Sequence, residues 1–177
     1  MTADIRPVVG YSYHEQNLTI TDGYQTISTP GITPPEGPFG GLDSTYETQW
    51  YGPWVGMDLR FTSTNLKPVI YGIEALLNFE YHWADVEAEA DWNLRTDFAH
   101  PKSFAHEADG EGIIISSGVN LYFTSNLALN FGYHYQDWSS DEGVDTVFFA
   151  DGATVKTQLN ELNWKSHAIE IGILYKF

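Results

Sequence analysis

The sequence predicts an all-β chain, an antiparallel up-and-down β-barrel whose six long strands read as three hairpins. Three observations predict it: apolar residues alternate with polar or small ones over long runs, one signature repeats three times, and short turns alternate with long connections. Gly172-Ile173-Leu174-Tyr175-Lys176-Phe177 is echoed by Gly56-Met57-Asp58-Leu59-Arg60-Phe61 and Gly118-Val119-Asn120-Leu121-Tyr122-Phe123. A second motif, Tyr13-His14, Tyr81-His82 and Tyr133-His134, ends three runs of alternating residues. The chain is therefore read as one domain of three related units, about 1–61, 62–123 and 124–177.

The elements follow in order. In the first strand Ile5, Pro7, Val9, Tyr11 and Tyr13 take odd positions; in the second Tyr51, Pro53, Val55, Met57, Leu59 and Phe61 do so, and Thr62 to Leu66 is a short turn. Pro53, in mid-strand, removes a ladder donor and counts mildly against the assignment. The third strand is the clearest, with Val69, Tyr71, Ile73, Ala75, Leu77, Phe79, Tyr81 and Trp83 facing one way. Ile113, Ile115, Val119, Leu121 and Phe123 form the fourth, and a tight turn at Thr124 to Asn126 leads to Leu127, Leu129, Phe131, Tyr133 and Tyr135 in the fifth. The sixth runs over Ile169, Ile171, Ile173 and Tyr175 to Phe177. All six keep their large apolar residues on the same parity.

Three segments, Leu18–Thr45, Ala84–Glu111 and Ser139–Asn163, read as long polar loops. They carry 16 of the 24 acidic residues and three of the eight basic ones, so the net charge of −16 is mostly a loop charge. Such acidity excludes nucleic acid as a partner. Asp85, Glu87, Glu89 and Asp91, or Asp141, Glu142 and Asp145, offer carboxylates to Ca²⁺ or Mg²⁺, without the spacing of a dedicated calcium loop. There is no cysteine for a disulfide or thiolate site. Mean hydropathy is −0.28 and no apolar run is long enough for a membrane helix, a test that strands with one lipid face evade.

The even-numbered face is where chemistry would sit. Arg6, Asp58, Arg60, Glu74, Asn78, Glu80, Asn120, Asn130, Glu170 and Lys176 would share a confined lumen, where pairing is expected because isolated buried charges are costly. That reading is a polar plug; the alternative is a narrow cation-favouring channel lined by Glu74, Glu80 and Glu170. His14, His82 and His134 end three rising strands and are weak candidates for a shared metal. His82 with Asp85 and His134 with Asp137 are candidates for general-base chemistry at a rim.

Alternation, aromatic strand ends, loop asymmetry and terminal Phe177 together resemble the small bacterial outer-membrane barrels of the attachment, invasion and opacity type, with an omptin-like barrel as second choice. The resemblance implies an outer-membrane location, a signal peptide already removed ahead of Met1, and Gly172, Tyr175 and Phe177 as part of an insertion signal read by the barrel-assembly machinery. It also implies contact with the lipid bilayer and lipopolysaccharide, long extracellular loops able to meet a protein ligand, and a structural or adhesive role. The paired Asp-x-Asp of omptins and the His-x-Ser of lipid A deacylases are absent, so no catalytic assignment carries over. The smallest familiar single-chain barrels have eight strands, so closure is expected to need missed strands, missing strands or a homo-oligomer. The competing fold is a soluble sandwich or lipocalin-like barrel with the odd face inside.

Overall fold

The structure, a computed structural model, describes residues 1–64, 66 and 70–177. Its elements are β1 (Thr2–Ile20), β2 (Tyr24–Gln25), β3 (Gly37–Pro38), β4 (Ser44–Thr64), β5 (Gly72–Asp91), β6 (Phe104–Tyr122), β7 (Leu127–Ser140), β8 (Gly143–Phe148), β9 (Thr154–Leu159) and β10 (Asn163–Tyr175). The described residues contain no helix. The six long strands form one antiparallel sheet in the order β1-β4-β5-β6-β7-β10, and β8 with β9 extends it from the upper part of β6. The sheet is not closed: β1 and β10 are its two edges. Val69, read from the sequence as the start of the third strand, and Asn65 of the first short turn lie outside the described residues.

Register explains why facing is preserved. In all five ladders odd residues pair with odd and even with even, as in Met57↔Phe79, Phe79↔Ile115 and Ile115↔Tyr135. A one-residue slip would exchange the faces, so the turns hold the parity. The strands curl around their even face, because a single cavity there is lined from β1, β4, β5, β6, β7 and β10. Pro53 is accommodated by a break. Tyr51 pairs with Asp85 and Trp54 with His82, and the two residues between on each strand leave the β4–β5 ladder unpaired, while Tyr11 still pairs with Pro53. A side chain at Gly52 would put its Cβ 2.0 Å from the Trp83 carbonyl oxygen, so this seam requires glycine.

Two of the three predicted loops are largely strand. β5 runs to Asp91 and β6 starts at Phe104, so 84–111 contributes most of its length to the sheet, and 139–163 holds the β8–β9 hairpin. The reason is an inversion of the pattern. Along β5 the apolar residues occupy odd positions up to Trp83 and then even ones, Ala84, Val86, Ala88 and Ala90, all buried, while Asp85, Glu87 and Glu89 point out. A search for large apolar residues on one parity stops at Trp83. Strands of 19 to 21 residues are about twice the nine to eleven that a bilayer needs.

Above the inversion the even face is a packed core of Trp50, Ala84, Val86, Ile114 and Trp138, flanked by Ala108, Leu162 and Trp164. Large rings lie on glycines of neighbouring strands: a Cβ at Gly112 would meet the Trp138 ring at 2.3 Å, and one at Gly10 the Trp54 ring at 2.7 Å. Gly112→Leu is therefore expected to cost about 1–3 kcal/mol through overpacking. A urea titration in detergent micelles checks it, and an unchanged midpoint would mean that the indole has room to move.

Candidate functional site: a packed concave face and a tyrosine collar

Trp138 is the centre of the concave face. It is 0% exposed, and its ring lies 4.6 Å from His14 on β1, 4.8 Å from His82 on β5, 5.8 Å from Trp50 on β4 and 6.1 Å from Trp164 on β10, centroid to centroid. At this height the interior is about one indole wide. The histidines are held as polar struts. The Gln136 amide donates to His134 Nε2 at 2.7 Å, which leaves the proton on Nδ1 to donate to Ser116 Oγ at 2.7 Å. His82 donates from Nε2 to Glu80 at 3.0 Å, and its Nδ1 accepts from Ser12 Oγ at 2.9 Å. His14 Nε2 is buried without a hydrogen-bond partner. His14 and His82 stand 6.0 Å apart between centroids, in edge contact.

Below this layer lies a cavity of about 410 Å³ lined by the polar residues Asp4, Arg6, Asp58, Asn78, Asn130 and Glu170 together with Leu59, Leu76 and Leu77. Of the predicted lumen network, the structure joins Arg60 to Glu74 at 3.4 Å, Asn120 to Glu74 at 3.0 Å, Asn130 to Asn120 at 2.7 Å and Asn78 to Asp58 at 2.9 Å. Tyr122, absent from the predicted set, also donates to Glu74 at 3.2 Å. Arg6 pairs with Asp4 at 3.8 Å, and Glu80 belongs to the histidine layer above. Lys176 lies just past β10, where its backbone exchanges hydrogen bonds with Asn126. Gly172 faces the Asn130 side chain on the concave side, and the Tyr175 and Phe177 rings stack edge to face at 5.0 Å.

The convex face carries an arrangement that the sequence reading did not reach. Four outward tyrosines donate to carboxylates next above them: Tyr13 to Glu15 at 2.8 Å, Tyr51 to Glu87 at 2.5 Å, Tyr135 to Asp137 at 2.7 Å, and Tyr81 to Glu111. Two of these are i, i+2 pairs on one strand, a signal legible in the sequence; the other two need the register. Below the collar the face is apolar and open, with Val9, Val55, Phe79, Val119, Phe131 and Ile171 exposed. Above it come Glu47, Asp85, Glu87, Glu89, Glu107 and Asp109, on alternating positions of β4, β5 and β6.

A family model described as Pom, Protochlamydia outer membrane protein, matches residues 1–177. The chain belongs to the Protochlamydia outer membrane protein family. No curated protein matches it. Membership places this Pom-family chain in the bacterial outer membrane.

The rim candidates are not brought together in the Pom-family chain. His82 and His134 point to the concave face, whereas Asp85 and Asp137 point out, because a separation of three along a strand reverses the face. Asp137 instead accepts from Tyr135 and pairs with Lys165 at 2.9 Å. Of the acidic runs, Asp91 is engaged by His100 at 2.5 Å and Asp145 by His106 at 3.4 Å and Thr157 at 3.0 Å. Among the described residues no three His, Asp or Glu side chains gather closely enough to hold a metal ion.

The connection after β5 carries a titratable contact. The hydrogen bond that His100 donates to Asp91 raises the imidazole pKa above its usual 6.5. A group whose folded pKa is raised stabilises fully below its unfolded pKa and loses that contribution as pH rises through the folded value. The contact is therefore expected to be at full strength below about pH 6.5 and to fade above it. An NMR titration of the His100 ring should give a midpoint above 6.5, and Asp91→Asn should bring it back down.

Proposed function

We propose that this family member crosses the outer membrane through the lower halves of its long strands and carries their upper halves outside as a stiff acidic platform, in a structural or adhesive role. The observation that carries this reading is the inversion of apolar parity at the tyrosine collar. Below it the sheet is greasy outside and polar inside, as a strand wall in lipid must be; above it the sheet is charged outside and apolar inside, as in water. The collar is where an interfacial aromatic belt belongs. The short turn at residues 123–126, at the opposite end, supports an extracellular side for the platform. The buried Trp138 layer between the upper sheet and the cavity supports a plug over the narrow cation-favouring pore. His82 and His134 face the opposite side from Asp85 and Asp137, an arrangement that favours the structural reading over a rim hydrolase.

Planar-bilayer recording on the reconstituted protein is the test. The plug predicts no steady conductance from the unsubstituted chain; steady cation-selective steps would overturn it and favour the pore. Protease added to intact cells should nick the proline-rich connection between β2 and β3 and spare the turn at residues 123–126. The reverse pattern would invert the orientation.

A further inference from the structure

We propose that the convex wall of β5, β6 and β7 is a dimer interface within the bilayer: a second copy of this chain seats on a groove over β6, and the two Ser117 hydroxyls meet. This rests on the reading that the lower halves of the strands cross the membrane. β5, β6 and β7 are each paired on both sides, so the interface stands however the edges at β1 and β10 are satisfied.

Below the collar these three strands turn large apolar side chains outward, with two exceptions. From Ile73 to Phe79, Ile113 to Leu121 and Leu127 to Phe131 every outward residue is Ile, Leu, Val or Phe except Ala75 and Ser117. Register brings the exceptions together. Ala75 pairs with Val119, one outward step along β6 from Ser117, and Ser117 itself pairs with Leu77 and Tyr133. A groove of about 380 Å³ results, lined by Ala75, Ser117 and Val119 together with Leu77, Phe131 and Tyr133. Its two hydroxyls differ. The Tyr133 phenol is bonded to His167 Nδ1 at 2.8 Å, whereas Ser117 Oγ makes no side-chain hydrogen bond among the described residues.

That hydroxyl selects the occupant. In hydrocarbon the hydrophobic effect does not separate an acyl chain from an apolar side chain, and association is driven by close packing and by hydrogen bonds between small polar groups. An acyl chain fills the groove but offers Ser117 no partner. Two copies that share one orientation in the membrane are related by a two-fold axis along its normal, and such an axis through the groove sets each residue beside it against its own counterpart. A hydroxyl is donor and acceptor at once, so two serines satisfy each other. Elsewhere two convex walls would meet along a line; over β6 the recess lets them approach. No outward charge lies on these stretches, and the carboxylates of β5 and β6 stand above the collar, in water, where salt screens them.

Two hydroxyls at hydrogen-bond distance bring their Cα atoms within reach of a disulfide. The chain has no cysteine, so Ser117→Cys carries a single thiol. Oxidised in phospholipid vesicles at high lipid dilution, it is expected to give a disulfide-linked dimer. Met57→Cys on β4 and Ile171→Cys on β10, exposed on the same face but away from the groove, are expected to stay monomeric. Equal yields at the three sites would mean random collision, dimers at Met57 or Ile171 alone another face, and no dimer anywhere a lipid in the groove; each of these overturns the proposal. Ala75→Phe fills the groove. Energy transfer between donor-labelled and acceptor-labelled chains should then fall to background while the heat-modifiable compact band is kept, and unchanged transfer would count against the interface. Ser117→Ala should weaken association about threefold, the measure of an average interchain hydrogen bond in lipid. If Ala75→Phe does not fold, the Ser117→Cys result decides. An unsubstituted chain that stays soluble without detergent would sink the membrane reading itself, a result distinct from all of these.

Discussion

Trp138→Ala is expected to be the most damaging single substitution in the chain, lowering stability by about 3–5 kcal/mol, the range for emptying a buried aromatic site. Five strands lean on this indole through His14, His82, Trp50, Trp164 and its own β7, so the cavity cannot collapse by moving one neighbour. Urea unfolding in detergent micelles would show it as a large fall in midpoint. The control is Trp92→Ala, which removes an indole that is 48% exposed beyond the platform and should cost much less. Equal effects would mean that the concave layer is not what holds the sheet together. The same variant probes the seal: conductance steps seen only in Trp138→Ala, and not in the unsubstituted chain, would locate the barrier at this layer.

The second large effect concerns the convex face. Leu77→Arg sets a charge midway along the apolar stretch of β5 between Ile73 and the collar residue Tyr81 and should cost about 2–4 kcal/mol, the penalty for arginine well inside the hydrocarbon. Glu87→Arg, ten positions along the same face but above the collar, should cost about 0–1 kcal/mol, with the loss of the Tyr51 hydrogen bond as its main component. Folding into phospholipid vesicles under graded urea measures both. If the two substitutions cost the same, the collar does not mark the edge of the hydrocarbon, and the parity inversion needs another cause.

Much of the lower half of the fold was legible in the sequence because one periodicity governs it. Ile73 through Trp83 on odd positions fixes strand and facing at once, and the terminal run to Tyr175 does the same for β10. The upper half was not read as strand, because there the periodicity persists while its sign reverses. Ala84, Val86, Ala88 and Ala90 are small, so their burial emerges only when Trp50 and Trp138 arrive from other strands. Of the lumen residues, Arg60, Glu74, Asn120 and Asn130 were legible as a network, since all lie on even positions at one end. His82 and Asp85, like His134 and Asp137, lie on opposite faces by the alternation rule itself: three steps along a strand always change face. The Tyr51 and Tyr81 contacts needed register, which no single strand contains.

The unpaired stretch at Gly52 and Pro53 gives the sheet an uneven stiffness. At the height of the collar β4 remains tied to β1, through Tyr11↔Pro53, but loses its rungs to β5. The ladder resumes on both sides of the gap, Thr45–Tyr51 against Asp91–Asp85 above it and Trp54–Thr64 against His82–Gly72 below it. A load along the strands would therefore cross from β4 to β5 through the rungs above and below, and the gap is the one level at which these two strands could slide slightly without breaking a rung between them.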